Sequence, residues 1–160
     1  MKTSIKTCIM LLFIVTLFSC SSDDDASTTI PEGYFFKTKI DGNSFSATIP
    51  EFGASKTGNT ITIACVQGIH KFQLKINNSI GVGTYTIPTT TANTIVLSYE
   101  NDVVVYQSGI CGTSGTLTIT AISSNEIAGT FTFSAGNTDD CGLPQKNITQ
   151  GSFKALLAGS

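Results

Sequence analysis

From Tyr34 to the C-terminus, apolar and polar residues alternate with a period of two, and no stretch carries a helical stripe. A chain whose side chains change face at every residue buries its apolar half only as pleated strands packed on one side. Phe36, Thr38 and Ile40 alternate with Lys37 and Lys39. Asp41-Gly42 follows, a strong hairpin signal because Gly accepts positive φ at no steric cost. Phe45, Ala47 and Ile49 resume the inward phase, and Pro50 ends it. Further inward sets are Ile61, Ile63 and Cys65, then Phe72, Leu74 and Ile76, then Gly83, Tyr85 and Ile87 (closed by Pro88), then Ile95, Leu97 and Tyr99. Glu100-Asn101-Asp102 reads as a turn, and Val103 to Tyr106 is apolar on both faces. Leu117, Ile119 and Ala121 are expected to face Ile127, Phe131 and Phe133 across a turn at Ser123-Ser124-Asn125. A last strand runs over about 147–157, with Phe153 inward. About nine or ten short strands, with turn signals roughly every ten residues, predict an all-β fold. An antiparallel β-sandwich is expected, with an up-and-down β-barrel as the alternative. Uneven strand lengths and long loops at 50–59 and 136–146 favour the sandwich, whose strands cross between sheets.

The start of the chain reads as an address. Met1 to Lys6 is a short basic segment, and Cys8 to Phe18 is an apolar run of about a dozen residues, short for a membrane-spanning helix. Leu17-Phe18-Ser19-Cys20 resembles a bacterial lipobox, in which Cys20 receives the diacylglycerol. A plain secretory leader would offer a small-x-small site, which Ser19-Cys20-Ser21-Ser22 does not. A spanning helix is disfavoured by Asp23-Asp24-Asp25 just downstream. Ser21, Ser22, Asp23, Asp24 and Asp25 resemble the acidic tract behind the lipidated Cys of surface-exported Bacteroidota lipoproteins, the alternative being a plain solvated linker. The expected organisation is a signal peptide at 1–19, a lipidated Cys and acidic tether at 20–31, and a single all-β domain at 32–160. The tether could reach about 40 Å fully extended. The implied location is the outer membrane, lipid-anchored and facing the cell exterior, with the periplasmic face as the alternative.

Composition excludes several partners. All nine basic residues are Lys, and from Cys20 onward seven Lys face eleven Asp and Glu. Nucleic acid needs a basic stripe and favours Arg forks, so no nucleic-acid partner is expected. The absence of Arg also disfavours bidentate recognition of phosphate or sulfate. Beyond the leader and anchor, Cys65, Cys111 and Cys141 remain in a compartment that permits disulfides. If 115–122 and 126–135 form one hairpin, Cys111 and Cys141 lie together at its open end. That pairing is expected, with Cys65 a buried thiol in the phase of Ile61 and Ile63.

Candidate chemistry is sparse. His70 is the only His, expected exposed at a strand start, with no nucleophile elbow in the chain. Glu100-Asn101-Asp102 and Asn137 with Asp139-Asp140 are the acidic clusters of the body. Either could offer oxygen ligands to calcium, yet neither matches a calcium-loop pattern. They could also supply paired carboxylates for glycoside hydrolysis if they met in space. No metal, cofactor or catalytic residue is assigned. Phe52, in Pro50-Glu51-Phe52-Gly53, is the best single ring to offer a ligand, against the simpler reading that it plugs one end of the sandwich. Phe35 and Tyr106 are the other rings left over.

Four further pieces occur in order: Lys39-Ile40-Asp41-Gly42 with Phe45, Gly83-Thr84-Tyr85, Gly129-Thr130-Phe131-Thr132-Phe133, and Gly151-Ser152-Phe153. Together, behind the lipobox and acidic tract, they resemble a family of uncharacterised Bacteroidota lipoproteins. The resemblance implies an all-β extracytoplasmic domain and no particular activity. Gly129 marks a bulge or a place where a backbone or ring packs closely. The expected function is a non-catalytic binding or adhesion module for a glycan, a matrix component or an outer-membrane protein. A structural envelope protein without a soluble ligand is the second reading, and a hydrolase using loop carboxylates is a distant third.

Overall fold

A computed structural model describes residues 33–77, 79–88 and 95–159. Cys20 and the tract from Ser21 to Asp25 lie outside the described residues. Eleven strands are present among those described: β1 (Phe35–Ile40), β2 (Asn43–Ala47), β3 (Phe52–Thr57), β4 (Thr60–Gln67), β5 (His70–Asn77), β6 (Gly83–Ile87), β7 (Ile95–Asn101), β8 (Val104–Gln107), β9 (Gly115–Ile122), β10 (Glu126–Asn137) and β11 (Lys146–Gly159).

They form two layers. One layer runs β2-β1-β11-β10-β9-β6. The other runs β3-β4-β5-β7-β8. The two longest strands belong to both. Leu157 to Gly159 of β11 pair with Ala54 to Lys56 of β3, and Gly136 and Asn137 of β10 pair with Gln107 and Tyr106 of β8. The sandwich is therefore closed at both corners by strands that change sheet, which accounts for its partly barrel-like character.

Phe36 is the hub of the core. It is fully buried and its ring lies 5.1 Å from Phe72 of β5, 5.3 Å from Phe131 of β10, 6.3 Å from Phe45 of β2 and 6.4 Å from Phe52 of β3. These offset and edge contacts suit the ring quadrupoles and join both layers.

Five expectations need correction. The segment expected as a loop at 50–59 contains β3, because Phe52 and Ala54 alternate inward over a run too short to announce a strand. The count is therefore eleven rather than nine or ten. The sheet is not wholly antiparallel, since β11 meets β3 in parallel. Ala121 faces outward: the register shifts between Ala128 and Gly129, so Thr120 is an extra residue on β9 and the side-chain phase inverts beyond it. Val103 does not enter a strand but sits 82% exposed at the β7–β8 tip, beside Asp102 with φ of 58°.

The Asp41-Gly42 hairpin forms as expected, with both residues at positive φ, 49° and 88°. β11 carries a second irregularity. Lys37 and Lys39 of β1 oppose Ser152 and Thr149, while Phe131 and Phe133 of β10 oppose Gly151 and Ile148. The extra residue is Gln150, at φ of 52°. Thr38 Oγ1 donates to Thr149 O (3.1 Å) and Thr132 Oγ1 donates to Ile148 O (3.1 Å), so flanking hydroxyls satisfy carbonyls beside the bulge.

Because Phe36 bridges the layers, Phe36→Ala is expected to lower stability by about 3–5 kcal/mol. The urea midpoint of the chain from residue 21 onward measures it, and a loss under 1 kcal/mol, roughly the scale of a surface change, would contradict the hub role.

Candidate functional site

The strand order gathers four connections at one end of the sandwich. Asp102 N donates to Ile69 O (2.9 Å), tying the β7–β8 turn to the β4–β5 turn. Thr138 N donates to Val105 O (3.0 Å), bringing in the β10–β11 connection. Asp41 N donates to Asn147 O (2.8 Å), and Asn147 N donates back to Asp41 Oδ1 (2.9 Å), which locks the β1–β2 turn to the start of β11. The chain enters β1 at the other end. There Tyr34 donates to Glu126 Oε2 (3.3 Å) and Lys154 pairs with Glu126 (3.1 Å). The six residues of β1 separate the two ends by about 20 Å.

Between these turns lies a cleft of about 270 Å³ lined by Asp41, Asn43, His70, Tyr99, Asn101 and Lys146. Tyr99 is in the inward phase and 1% exposed, so its hydroxyl needs a partner. It finds one in His70 Nδ1 at 2.7 Å, with the two rings stacked at 5.9 Å. Burial, reinforced by the negative charge of Asp41 and by Tyr106, pushes the Tyr99 phenol up to about 12. Tyr99 therefore keeps its proton near neutral pH, and the tautomer of the imidazole sets which of the two groups donates in this bond. Asn101 lies opposite His70 on the neighbouring strand, and its Oδ1 is buried with no hydrogen-bond partner among the described residues. Lys146 Nζ pairs with Asp41 Oδ2 at 2.8 Å and lies 5.8 Å from the centroid of the Tyr106 ring, itself stacked on Tyr99 at 6.0 Å. Partial burial alone would raise Asp41, but the Asn147 amide and the Lys146 ammonium outweigh it and hold the carboxyl below its ordinary value. The reciprocal bond from Asp41 raises Lys146.

Cys111 and Cys141 form the expected disulfide, with Cα atoms 5.2 Å apart. It fastens the β8–β9 connection to the β10–β11 connection, and Gln145 Nε2 donates to Cys111 O (3.2 Å) beside it. Cys65 is a free, fully buried thiol, pushed up to about 12 by burial and by Glu51.

The other sequence candidates are placed differently. Phe52 is 4% exposed in the core, against Phe36, so its ring is not offered to a ligand. His70 is half-buried and partnered rather than simply exposed. Glu100 is paired with Lys71. Asn137 Oδ1 accepts from the amides of Asp139 (2.8 Å) and Asp140 (3.1 Å), and Asp140 Oδ1 accepts from Gly142 N (2.8 Å), so this acidic cluster shapes its own turn. Among the described residues, no three His, Cys, Asp or Glu side chains converge as a metal site requires. The sequence reading missed the cleft itself. Its one available signal was Tyr99, a phenol in an inward phase. Its partner became visible only once β5 and β7 were in register.

Fold and cleft together define an all-β sandwich domain with a polar cleft at the turn end. The chain belongs to the family described as Domain of unknown function (DUF6252), whose profile matches residues 33–156. No curated protein and no solved structure matches the chain.

The depressed Asp41 carboxyl sets a pH dependence. A group whose folded pKa lies below its unfolded value stabilises the fold above the unfolded value, near pH 4, and loses that contribution as pH falls through the folded value. Asp41→Asn is expected to flatten the acid limb of a stability-versus-pH curve while leaving a single transition. An acid limb identical to that of the parent would contradict the Asp41–Lys146–Asn147 lock.

Proposed function

We propose that this chain is a lipid-anchored envelope protein of the Bacteroidota type. It is held at the outer membrane through Cys20, faces the cell exterior, and uses the turn-end cleft as a non-catalytic binding site. The observation that carries the reading is the buried Asn101 Oδ1, unpartnered among the described residues, in a cleft that also presents His70, Asp41 and Lys146. A buried acceptor without a partner is costly, and a ligand hydroxyl or amide donated to it removes that cost. A mixed set of imidazole, carboxylate, ammonium and amide groups around aromatic rings suits a polyhydroxylated ligand, and a glycan is the class it fits best. The topology supports display, because the tether joins the domain at the end remote from the cleft. The Leu17-Phe18-Ser19-Cys20 lipobox and the Ser21 to Asp25 tract support the address.

Two measurements test the two halves. On a glycan panel, the chain from residue 21 onward is expected to bind a defined set of sugars, with Asn101→Ala weakening binding about tenfold or more, equivalent to about 1.4 kcal/mol. Binding unaffected by Asn101→Ala and His70→Ala would remove the cleft from the account. In cells, Cys20→Ala is expected to block lipidation and release the protein from the membrane fraction. Normal maturation and retention of that variant would refute the anchor.

A further inference from the structure

The outer face of β1, β2 and β11 carries a second polar depression, of about 390 Å³, lined in part by Lys37, Lys39, Ser44, Ser46, Gln150 and Ser152. Strand register arranges these groups in rows. Ser46, Lys37 and Ser152 are direct cross-strand neighbours, and Ser44, Lys39 and Thr149 form the next row. Lys37 and Lys39 project from the same face of β1, about 6.7 Å apart along the strand.

No described carboxylate neutralises their charges. The ion pairs among the described residues use Lys71, Lys146 and Lys154, and none involves Lys37 or Lys39. Lys37 lies 5.0 Å from the Phe35 ring centroid, which leaves its charge in place. No described Asp or Glu lines the depression. This local cationic surface stands on a chain with no basic excess: from Cys20 onward seven Lys face eleven Asp and Glu, four of the acids lying before residue 33. General attraction of the whole protein to polyanions is therefore absent, and any such binding has to be local.

The backbone is also specialised here. Gln150 holds a left-handed φ of 52° in the middle of a strand paired on both sides. Non-glycine residues rarely adopt this conformation, and bulges of this kind re-aim a side chain. The bulge places Gln150, with both amide donors and an acceptor, in the depression beside the two Lys.

We propose that this face binds an acidic polysaccharide, with Lys37 and Lys39 taking its carboxylate or sulfate groups and Ser44, Ser46, Ser152 and Gln150 taking its hydroxyls. Charge complementarity selects an anion, and the hydroxyl and amide lining selects a polyol carrying it. An anionic membrane surface fits less well, because none of the large exposed apolar residues (Val66, Ile69, Val82, Val103, Leu143, Leu156) lines this depression, and interfacial binding combines basic with apolar groups. The proposal does not depend on the turn-end cleft having a ligand.

Affinity electrophoresis of the chain from residue 21 onward tests it, with polygalacturonate, dextran sulfate, neutral dextran and phosphatidylglycerol vesicles as probes. Retardation by at least one of the two polyanions and not by dextran is expected, weakening as salt rises. Lys37→Gln with Lys39→Gln is expected to lower affinity tenfold or more. Lys75→Gln, an exposed Lys on the opposite sheet, is expected to leave it unchanged. Gln150→Gly keeps the left-handed backbone accessible and is expected to retain stability while weakening binding several-fold. Failure of both polyanions, equal losses from Lys75→Gln and the Lys37 and Lys39 pair, or preferential binding to the vesicles would each overturn the proposal.

Discussion

The structure depends on a reciprocal interlock between β10 and β11. Gly129 lies opposite Phe153, and Gly151 lies opposite Phe131. A Cβ on Gly129 would stand 2.9 Å from Phe153 Cζ, and one on Gly151 would stand 2.6 Å from Phe131 Cζ. Each ring therefore rests on the bare backbone of the facing strand. The pair is the most extensive strand pairing among the described residues, and its two members are the strands that also close both corners of the sandwich. The Phe131 ring carries the interlock inward to Phe36, and through Phe36 to the other layer.

That arrangement has consequences at both ends. β11 starts at the turn end, where Lys146 and Asn147 hold the Asp41 turn, and it finishes at the tether end. β10 delivers Asn137 and the Cys141 loop to the turn end, where the disulfide holds them beside Cys111. The cleft is thus assembled from turns whose positions follow from two long central strands. The Gln150 bulge interrupts β11 without breaking it, because Thr38 and Thr132 supply hydroxyls on either side and Gly151 leaves room for Phe131.

Much of this was legible in the sequence, for a physical reason. A two-residue period survives wherever one face is buried and the strand is regular, so the inward sets from Phe36 to Phe153 were readable directly. The Cys111–Cys141 pairing followed from one hairpin, since it required only local register. Gly129 could be read as a close-packing position, but the facing partner could not be named. Where reading failed, the period was interrupted. The bulge at Thr120 inverted the phase of Ala121, and β3 was hidden between Pro50 and Gly58 with two inward residues. The cleft was illegible because its members come from the β1–β2 turn, β2, β5, β7 and β11. Only long-range register places His70 against Tyr99 and Asn101, or Lys146 against Asp41.

The interlock is tested most directly by comparing two Gly→Ala substitutions in urea unfolding. Gly53 sits in β3 with open space where a Cβ would go, so Gly53→Ala is expected to be neutral or to stabilise by about 0.5–1 kcal/mol through reduced chain entropy. Gly151→Ala places the same methyl against the Phe131 ring and is expected to destabilise by about 1–3 kcal/mol. A destabilised Gly151→Ala beside a neutral or stabilised Gly53→Ala is the result this account requires. A Gly151→Ala variant as stable as Gly53→Ala would contradict it.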